Sequence, residues 1–93
     1  MLSLRTVRRR AGLSQPQLAH LSGINQATIS LLERGRICGP RTTTVHAIAR
    51  ALRVTDATVI AALAASVRQY QLRQRRRIAR IRTTARALAG TAA

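Results

Sequence analysis

Hydrophobic residues recur along the chain at intervals of three and four residues, and no stretch shows the two-residue alternation of a half-buried strand. This spacing predicts an all-helical chain. The first predicted helix carries its apolar residues on one face, at Leu4, Val7 and Ala11. Gly12 ends that helix. A second one begins near Ser14, because Ser14 and Gln17 form the Ser-x-x-Gln pattern of a capping box.

The second and third predicted helices are separated by a very short connection. Gly23 supplies the positive φ that a tight turn requires, and Asn25 is a favoured N-cap residue for the helix that follows. Ile29 and Leu32 are the predicted buried positions of this third helix, and Gly35 ends it. Two short helices joined by a turn of this length match the spacing of a helix-turn-helix unit.

Two further helices follow a loop over positions 36–41 that contains Gly39 and Pro40. Thr42 is predicted to cap the fourth helix, and Thr55 and Asp56 to begin the fifth. The predicted core positions of these two helices are Val45, Ile48, Ala49, Leu52, Val59, Ile60, Leu63 and Val67.

The chain changes character beyond Val67. Eight of its 17 arginines lie between Arg68 and Arg86, yet an apolar stripe continues beside them. From Ile60 the stripe occupies positions 60, 63, 67, 70, 74, 78, 81, 85 and 88, a heptad-like pattern with one inserted four-residue step. We therefore divide the chain into a compact helical domain, residues 1–66, and a basic amphipathic helical extension, residues 67–93.

The charge balance narrows the range of partners. Seventeen basic residues, all of them arginine, face only two acids, Glu33 and Asp56, and the formal net charge is +15. A polyanion is the natural partner of such a chain, with nucleic acid ranked ahead of an anionic membrane surface. Guanidinium groups suit two-point contacts with phosphate and guanine, although a GC-rich genome explains the absence of lysine equally well.

Several function classes are disfavoured. Cys38 is the only cysteine, so the chain forms no internal disulfide, and no apolar run is long enough for a membrane span or a signal peptide. We therefore expect a cytoplasmic protein. His20 and His46 lie far apart, and two acids offer no carboxylate pair for acid–base chemistry. We expect no metal, no cofactor, no small-molecule ligand and no enzymatic activity.

The stretch from Leu13 to Gly35, LSQPQLAHLSGINQATISLLERG, resembles the Cro/repressor type (XRE-like) of helix-turn-helix DNA-binding family. The likeness extends over residues 4 to 60. The residues that carry it are Leu13, Ser14, Gln15, Leu18, Ala19, Gly23, Ile24, Gln26, Thr28, Ile29, Ser30, Glu33, Gly35 and Pro40. It implies an all-α, five-helix Cro/repressor-like helix-turn-helix domain with a long basic C-terminal helix, bound to double-stranded DNA at the nucleoid.

The resemblance implies roles by position, with the helix over residues 26–34 in the major groove. Base contacts fall to Gln26, Ala27, Thr28 and Leu31. Phosphate contacts fall to Gln15, Asn25, Ser30, Arg34, Arg36 and Arg41. Arg8 and Glu33 resemble a structural ion pair that ties the first helix to the third.

Three residues depart from the family pattern. Leu31 stands where the family usually has a polar base-contacting residue, and Ala27 is too short for a hydrogen bond to a base. Arg53 replaces the glycine that usually follows the fourth helix, so a residue with a side chain has to adopt the left-handed conformation there. These departures concern sequence specificity and not the fold.

The favoured function is a sequence-specific transcriptional regulator, a repressor of the phage or mobile-element kind. Two alternatives remain open. One is an antitoxin-type DNA-binding autorepressor with a toxin partner. The other is a nucleoid or RNA-binding protein that acts through charge alone.

The basic extension has three interpretations. In the first it lies along DNA, and the candidate contacts are Arg73, Arg75, Arg76, Arg77 and Arg80. In the second it forms a homodimer, with its apolar seam against a second copy. In the third it is a solvated helix packed on its own domain. Like charges on every turn oppose a parallel pair, so DNA contact ranks slightly above dimerisation, and the two are compatible.

Overall fold

A computed structural model describes the backbone of residues 2–91 and the side chains of residues 2–89. Five helices follow one another: α1 (Leu4–Arg10), α2 (Gln15–Ser22), α3 (Gln26–Glu33), α4 (Thr42–Leu52) and α5 (Asp56–Thr91). The described part of the chain contains no strand. The all-helical fold class with a long basic C-terminal helix, predicted from the hydrophobic spacing and the family resemblance, is therefore confirmed.

Local capping interactions set the helix starts as the sequence predicts. The Ser14 hydroxyl accepts a hydrogen bond from the Gln17 backbone N–H, and the Gln17 side chain accepts one from the Ser14 N–H, which completes the capping box. Asn25 Oδ1 accepts from the Ala27 N–H at 2.7 Å. The prediction for Thr42 is wrong: Arg41 occupies the N-cap position of α4 and makes no capping bond, because Thr42 is already helical.

The core lies where α2, α3, α4 and the first turns of α5 meet. Leu18, Ile29, Ile48 and Val59, one from each of these helices, are completely buried. Two predicted inward positions are corrected. Ala11 is exposed because α1 ends one residue before it. Ile60 is 57% exposed because it borders an open groove between α5 and the start of α4.

A close backbone approach joins the end of α3 to α5. Gly35 has a φ of +69°, and a Cβ there would lie 2.6 Å from the Ser66 carbonyl carbon and 2.8 Å from Val67 Cα. Ser66 is itself completely buried. Its hydroxyl accepts a hydrogen bond from the Leu4 N–H at 3.1 Å and donates one to the Ala62 carbonyl at 3.0 Å. Ser66 therefore connects α5 to α1 by a hydrogen bond. The absence of a side chain at Gly35 lets the end of α3 approach the backbone of α5.

The end of α4 shows the backbone consequence expected at Arg53. This residue adopts the left-handed conformation, with a φ of +56°, and its N–H completes the C-cap of α4. The conformation usually requires glycine, so the expectation from the family pattern is confirmed here.

Helix α5 is continuous across the predicted domain boundary at residues 66 and 67. Its last half-buried side chains are Tyr70 and Gln74, and residues 75–89 are all exposed. The interpretation that the extension packs on its own domain is therefore wrong for this outer half. Position 1 of the predicted domain and positions 92 and 93 of the predicted extension lie outside the described residues.

Candidate nucleic-acid interface

Helices α2 and α3 form a helix-turn-helix unit around a left-handed glycine. Gly23 ends α2 with a φ of +70°, and α3 begins three residues later. Ile29 and Leu32 point into the core and fix the inward face of α3. Helical periodicity therefore turns the rest of α3 outward. A short helix presented in this way is the geometry that enters the major groove of DNA.

The four predicted base-contacting residues all lie on α3 outside its buried face. Gln26 and Ala27 are exposed, whereas Thr28 and Leu31 are half-buried. Gln26 therefore has the freest polar side chain of the four, and it is able to form two hydrogen bonds to an adenine edge. Leu31 offers only an apolar contact, of the kind that suits a thymine methyl group.

A buried carboxylate joins α1, α2 and α3. Arg8 Nε donates to Glu33 Oε2 at 2.7 Å and Arg8 Nη2 donates to Glu33 Oε1 at 3.0 Å, so the pair is bidentate. Gln15 Nε2 donates to the same Oε1 at 3.3 Å, and Arg8 Nη1 donates to the Leu13 carbonyl at 2.8 Å. Both charged side chains are almost completely buried, with 9% and 3% exposed. The contacts fix the start of α2 relative to the end of α3.

A concave polar surface of about 750 Å³, which we call the basic groove, lies between the starts of α1 and α2, the end of α3 and the middle of α5. It is lined by Ser3, Arg5, Arg8, Gln15, Ser30, Glu33, Arg34, Arg36, Gln69, Tyr70, Arg73, Gln74 and Arg77. Four of the predicted phosphate contacts are in this set. It also contains two of the DNA contacts predicted for the basic extension, which we call the tail contacts. The fold thus brings residues from distant parts of the sequence to one cationic surface beside α3.

The other two predicted phosphate contacts lie outside the basic groove. The Asn25 side chain is engaged in capping α3, although the residue remains exposed. Arg41 is exposed at the start of α4. These two residues therefore sit at helix N-termini, where backbone N–H groups also favour anions.

Tyr70 is a residue of this surface that the sequence interpretation placed only in the apolar stripe. The guanidinium carbon of Arg36 lies 5.5 Å from the centroid of the Tyr70 ring, a cation–π contact between the loop after α3 and α5. Tyr70 is the only Phe, Trp or Tyr of the chain, and this rarity was the one signal in the sequence that singled it out. The contact holds Arg36 at the rim of the basic groove.

Helical periodicity separates the arginines of α5 into two rows. The groove row, on the side of the basic groove, comprises Arg73, Arg76, Arg77 and Arg80, spaced by one, three or four residues. The outer row comprises Arg68, Arg75, Arg82 and Arg86. Its members follow one another at intervals of seven or four residues, which keeps them on one face of the helix. Arg75 therefore parts from the other predicted tail contacts, and it lines a separate apolar surface.

Other polar groups of the described residues do not form a further site of this kind. His46 Nδ1 lies 3.2 Å from Asp56 Oδ1, and both side chains are largely exposed. Among the residues that the structure describes, no cluster of three or more His, Cys, Asp or Glu side chains is placed to hold a metal ion. None of the described helices combines the length and apolar character that crossing a membrane requires.

Comparison with known proteins agrees with this geometry. A family model described as a helix-turn-helix domain matches residues 2–63, two thirds of the chain. The match includes α1 to α4 and the first two turns of α5. It confirms the helix-turn-helix resemblance found in the sequence. No curated protein and no solved structure gives a significant match.

Proposed function

The chain belongs to the helix-turn-helix domain family, and from this premise we propose that it is a sequence-specific regulator of transcription that binds double-stranded DNA. In this proposal α3 enters the major groove, and Gln26, Thr28 and Leu31 face the bases. The protein acts at the nucleoid, where its DNA target is. We further propose that it acts as a repressor of the phage or mobile-element kind, because its sequence resembles the Cro/repressor family.

One observation carries the proposal. Gln15, Ser30, Arg34 and Arg36 line the same groove beside α3, although they come from α2, α3 and the loop that follows. A protein that positions a helix in the major groove needs phosphate contacts on either side of that helix. The basic groove supplies them from one side, and the exposed Asn25 and Arg41 supply them from helix starts elsewhere.

The extension adds phosphate contacts through one of its two rows. Arg73 and Arg77 line the basic groove directly, and Arg76 and Arg80 continue the same row along α5. We therefore assign the tail contacts to the groove row. The position of Arg75 on the opposite side of α5 gives no support to its predicted role at DNA.

The charge-only alternative also has an observation in its favour. The net charge is +15, and Ala27 and Leu31 on α3 cannot form hydrogen bonds to bases through their side chains. Selection of bound sequences from a random DNA pool, followed by a footprint, separates the two functions. A preferred sequence supports the regulator, whereas uniform protection supports a nucleoid protein. An antitoxin-type autorepressor would bind DNA in the same way and would in addition form a complex with a toxin.

Gln26→Ala is expected to weaken binding to the selected site by ~1–3 kcal/mol and to remove the preference at one base pair. The reason is that the amide loses two hydrogen bonds to a base edge while the backbone contacts remain. Fluorescence anisotropy with the selected site and all its single-base variants measures both effects. Gln71→Ala, which changes an exposed glutamine on the far side of α5, is the matched control. Wild-type affinities of Gln26→Ala for every site variant would show that α3 is placed wrongly.

Arg73→Gln/Arg77→Gln is expected to weaken binding to all sequences without changing the preferred one. For each arginine–phosphate interaction that the double variant removes, the plot of log K against log salt concentration should flatten by ~0.9. Titrations at several salt concentrations measure this slope. The double variant Arg82→Gln/Arg86→Gln removes the same charge from the outer row and should leave the slope nearly unchanged. Equal slopes for the two double variants would mean that the tail acts through net charge and not through the basic groove.

A further inference from the structure

A second surface lies on the side of α5 that faces away from the basic groove. The loop after α3, the start of α4 and α5 enclose an open apolar groove of about 770 Å³. Its apolar walls include Ile37, Pro40, Val45, Ile60, Val67 and Leu72. Ile60 and Leu72 are 57% and 42% exposed, so the groove presents large hydrophobic side chains to solvent. None of these residues takes part in the proposed DNA contacts.

The apolar groove continues as an exposed stripe along the outer half of α5. Ile78 and Ile81 are 47% and 60% exposed, and they lie on the same helical face as Ile60 and Val67. We call these four residues the apolar stripe. From Ile60 to Ile81 it extends ~32 Å at the α-helical rise of 1.5 Å per residue. A surface this long and narrow fits another helix better than a compact small molecule.

The charges beside the stripe decide which helix fits. The groove row runs along one side of Ile78 and Ile81, and the outer row runs along the other. The chain has no Asp or Glu at all between positions 57 and 93. A second copy of α5, in either orientation, would therefore bring arginine against arginine on both sides of the seam, and such like-charge pairs oppose association.

Two other polyanionic surfaces match the stripe poorly. DNA offers phosphates but no apolar seam for Ile78 and Ile81. Basic helices that lie in a membrane surface carry Trp, Phe or Leu on their apolar face. This chain has no Trp or Phe, and its single Tyr70 contacts Arg36 at the basic groove, so no aromatic side chain is left to anchor the stripe in a membrane.

We propose that the apolar groove and the apolar stripe bind an acidic amphipathic helix of a partner protein. The partner helix presents apolar residues at three- and four-residue spacing, flanked by Asp or Glu on both sides. Its apolar side chains fill the groove beside Ile60 and Val67 and cover Ile78 and Ile81, as in helix-in-groove recognition. Its carboxylates pair with arginines of the two rows, which fixes orientation and excludes a basic helix.

A synthetic probe tests the proposal on the full chain without DNA. The probe is a dye-labelled helical peptide of four heptads, about 28 residues, with Leu and Ile at the seam and Glu at the flanking positions. One control peptide keeps the Glu residues and has Ala at every seam position. A second keeps the seam and has Lys in place of Glu. Fluorescence anisotropy at physiological salt should detect binding of the first peptide only.

Variants of the protein locate the binding surface. Ile78→Ser/Ile81→Ser should weaken binding of the acidic probe at least ~tenfold, because the seam loses two buried side chains. Arg82→Gln/Arg86→Gln should weaken it less and make it less sensitive to salt. Ala79→Ser, on the opposite side of α5, is the matched control and should bind within about twofold of wild type. Ile78→Ser/Ile81→Ser should keep wild-type affinity for DNA, which also shows that it is folded.

Four results would overturn the proposal. Equal binding of the acidic probe by wild type and Ile78→Ser/Ile81→Ser would place the probe elsewhere. Equal binding of the Ala-seam peptide would show attraction by charge alone. A dimer in sedimentation equilibrium that Ile78→Ser/Ile81→Ser dissociates would assign the stripe to a second copy. Binding to phosphatidylserine vesicles that this variant loses, with no binding of the acidic probe, would assign the stripe to a membrane.

Discussion

Replacing Gly35 with alanine is expected to lower the free energy of unfolding by about 3 kcal/mol or more. Two costs add. A non-glycine residue at a φ of +69° is strained by ~1–3 kcal/mol, and the new Cβ would overlap the backbone of Ser66 and Val67, where overpacking costs ~1–3 kcal/mol. The obstacle is main chain of a helix, so no side chain can rotate away to make room. Urea denaturation followed by circular dichroism measures the change.

Gly39→Ala separates the two costs. Gly39 also has a positive φ, of +66°, but no heavy atom lies within 4 Å of the position that a Cβ would take. Its replacement should therefore carry only the same conformational cost, ~1–3 kcal/mol. If Gly35→Ala and Gly39→Ala destabilise the protein equally, the close approach of α3 and α5 is not what requires glycine at position 35.

Glu33→Ala is expected to cost ~3–5 kcal/mol of stability, since removing one partner of a buried ion pair leaves the other charge uncompensated. The Arg8 side chain, 9% exposed, would lose both of its hydrogen bonds to the carboxylate. Gln15 would lose its bond to the same group. Thermal and urea unfolding measure the effect. DNA-binding assays well below the unfolding transition should show an unchanged sequence preference, because Glu33 itself does not face the bases.

The second acid of the chain is the natural control. Asp56 Oδ1 lies 3.2 Å from His46 Nδ1 at a largely exposed site, where even a fully charged pair contributes only roughly 0–1 kcal/mol. Asp56→Ala should therefore leave stability almost unchanged, although it removes the same charge as Glu33→Ala. Similar unfolding midpoints for the two variants would contradict the assignment of a structural role to the buried Arg8–Glu33 pair.

Most helix boundaries were predictable because they depend on neighbours in sequence. The capping box at Ser14 and the Asn25 cap each use a residue within three positions, and Gly23 marks its turn by its conformational freedom. Thr42 shows the limit of this logic. A favoured capping residue type does not reveal which position adopts the extended backbone of the cap, and here Arg41 does.

Contacts between distant segments were not predictable from local patterns. Ser66 is a polar residue on a buried face, and its partner, the Leu4 N–H, is 62 positions away. The basic groove has the same origin. It exists because α5 continues as one helix past residue 66, and Arg73 and Arg77 then line the same surface as Arg36. The motif in α2 and α3 located the candidate base contacts, whereas the extent of the phosphate surface follows from the path of α5.

Residues 75–89, in the outer half of α5, are helical although all of them are exposed, so little burial supports this part of the helix. Three pairs of arginines lie four residues apart along this helix: Arg73 with Arg77, Arg76 with Arg80, and Arg82 with Arg86. Each like-charge pair opposes helix formation by ~0.2–0.5 kcal/mol. A bound polyanion cancels this repulsion, so ligand binding and the helix–coil equilibrium of this segment are thermodynamically linked. Amide hydrogen exchange in residues 75–89 should therefore slow when either DNA or an acidic helix is bound. Through this linkage, the stability of the helix over residues 75–89 depends on whether a polyanionic ligand is bound to α5.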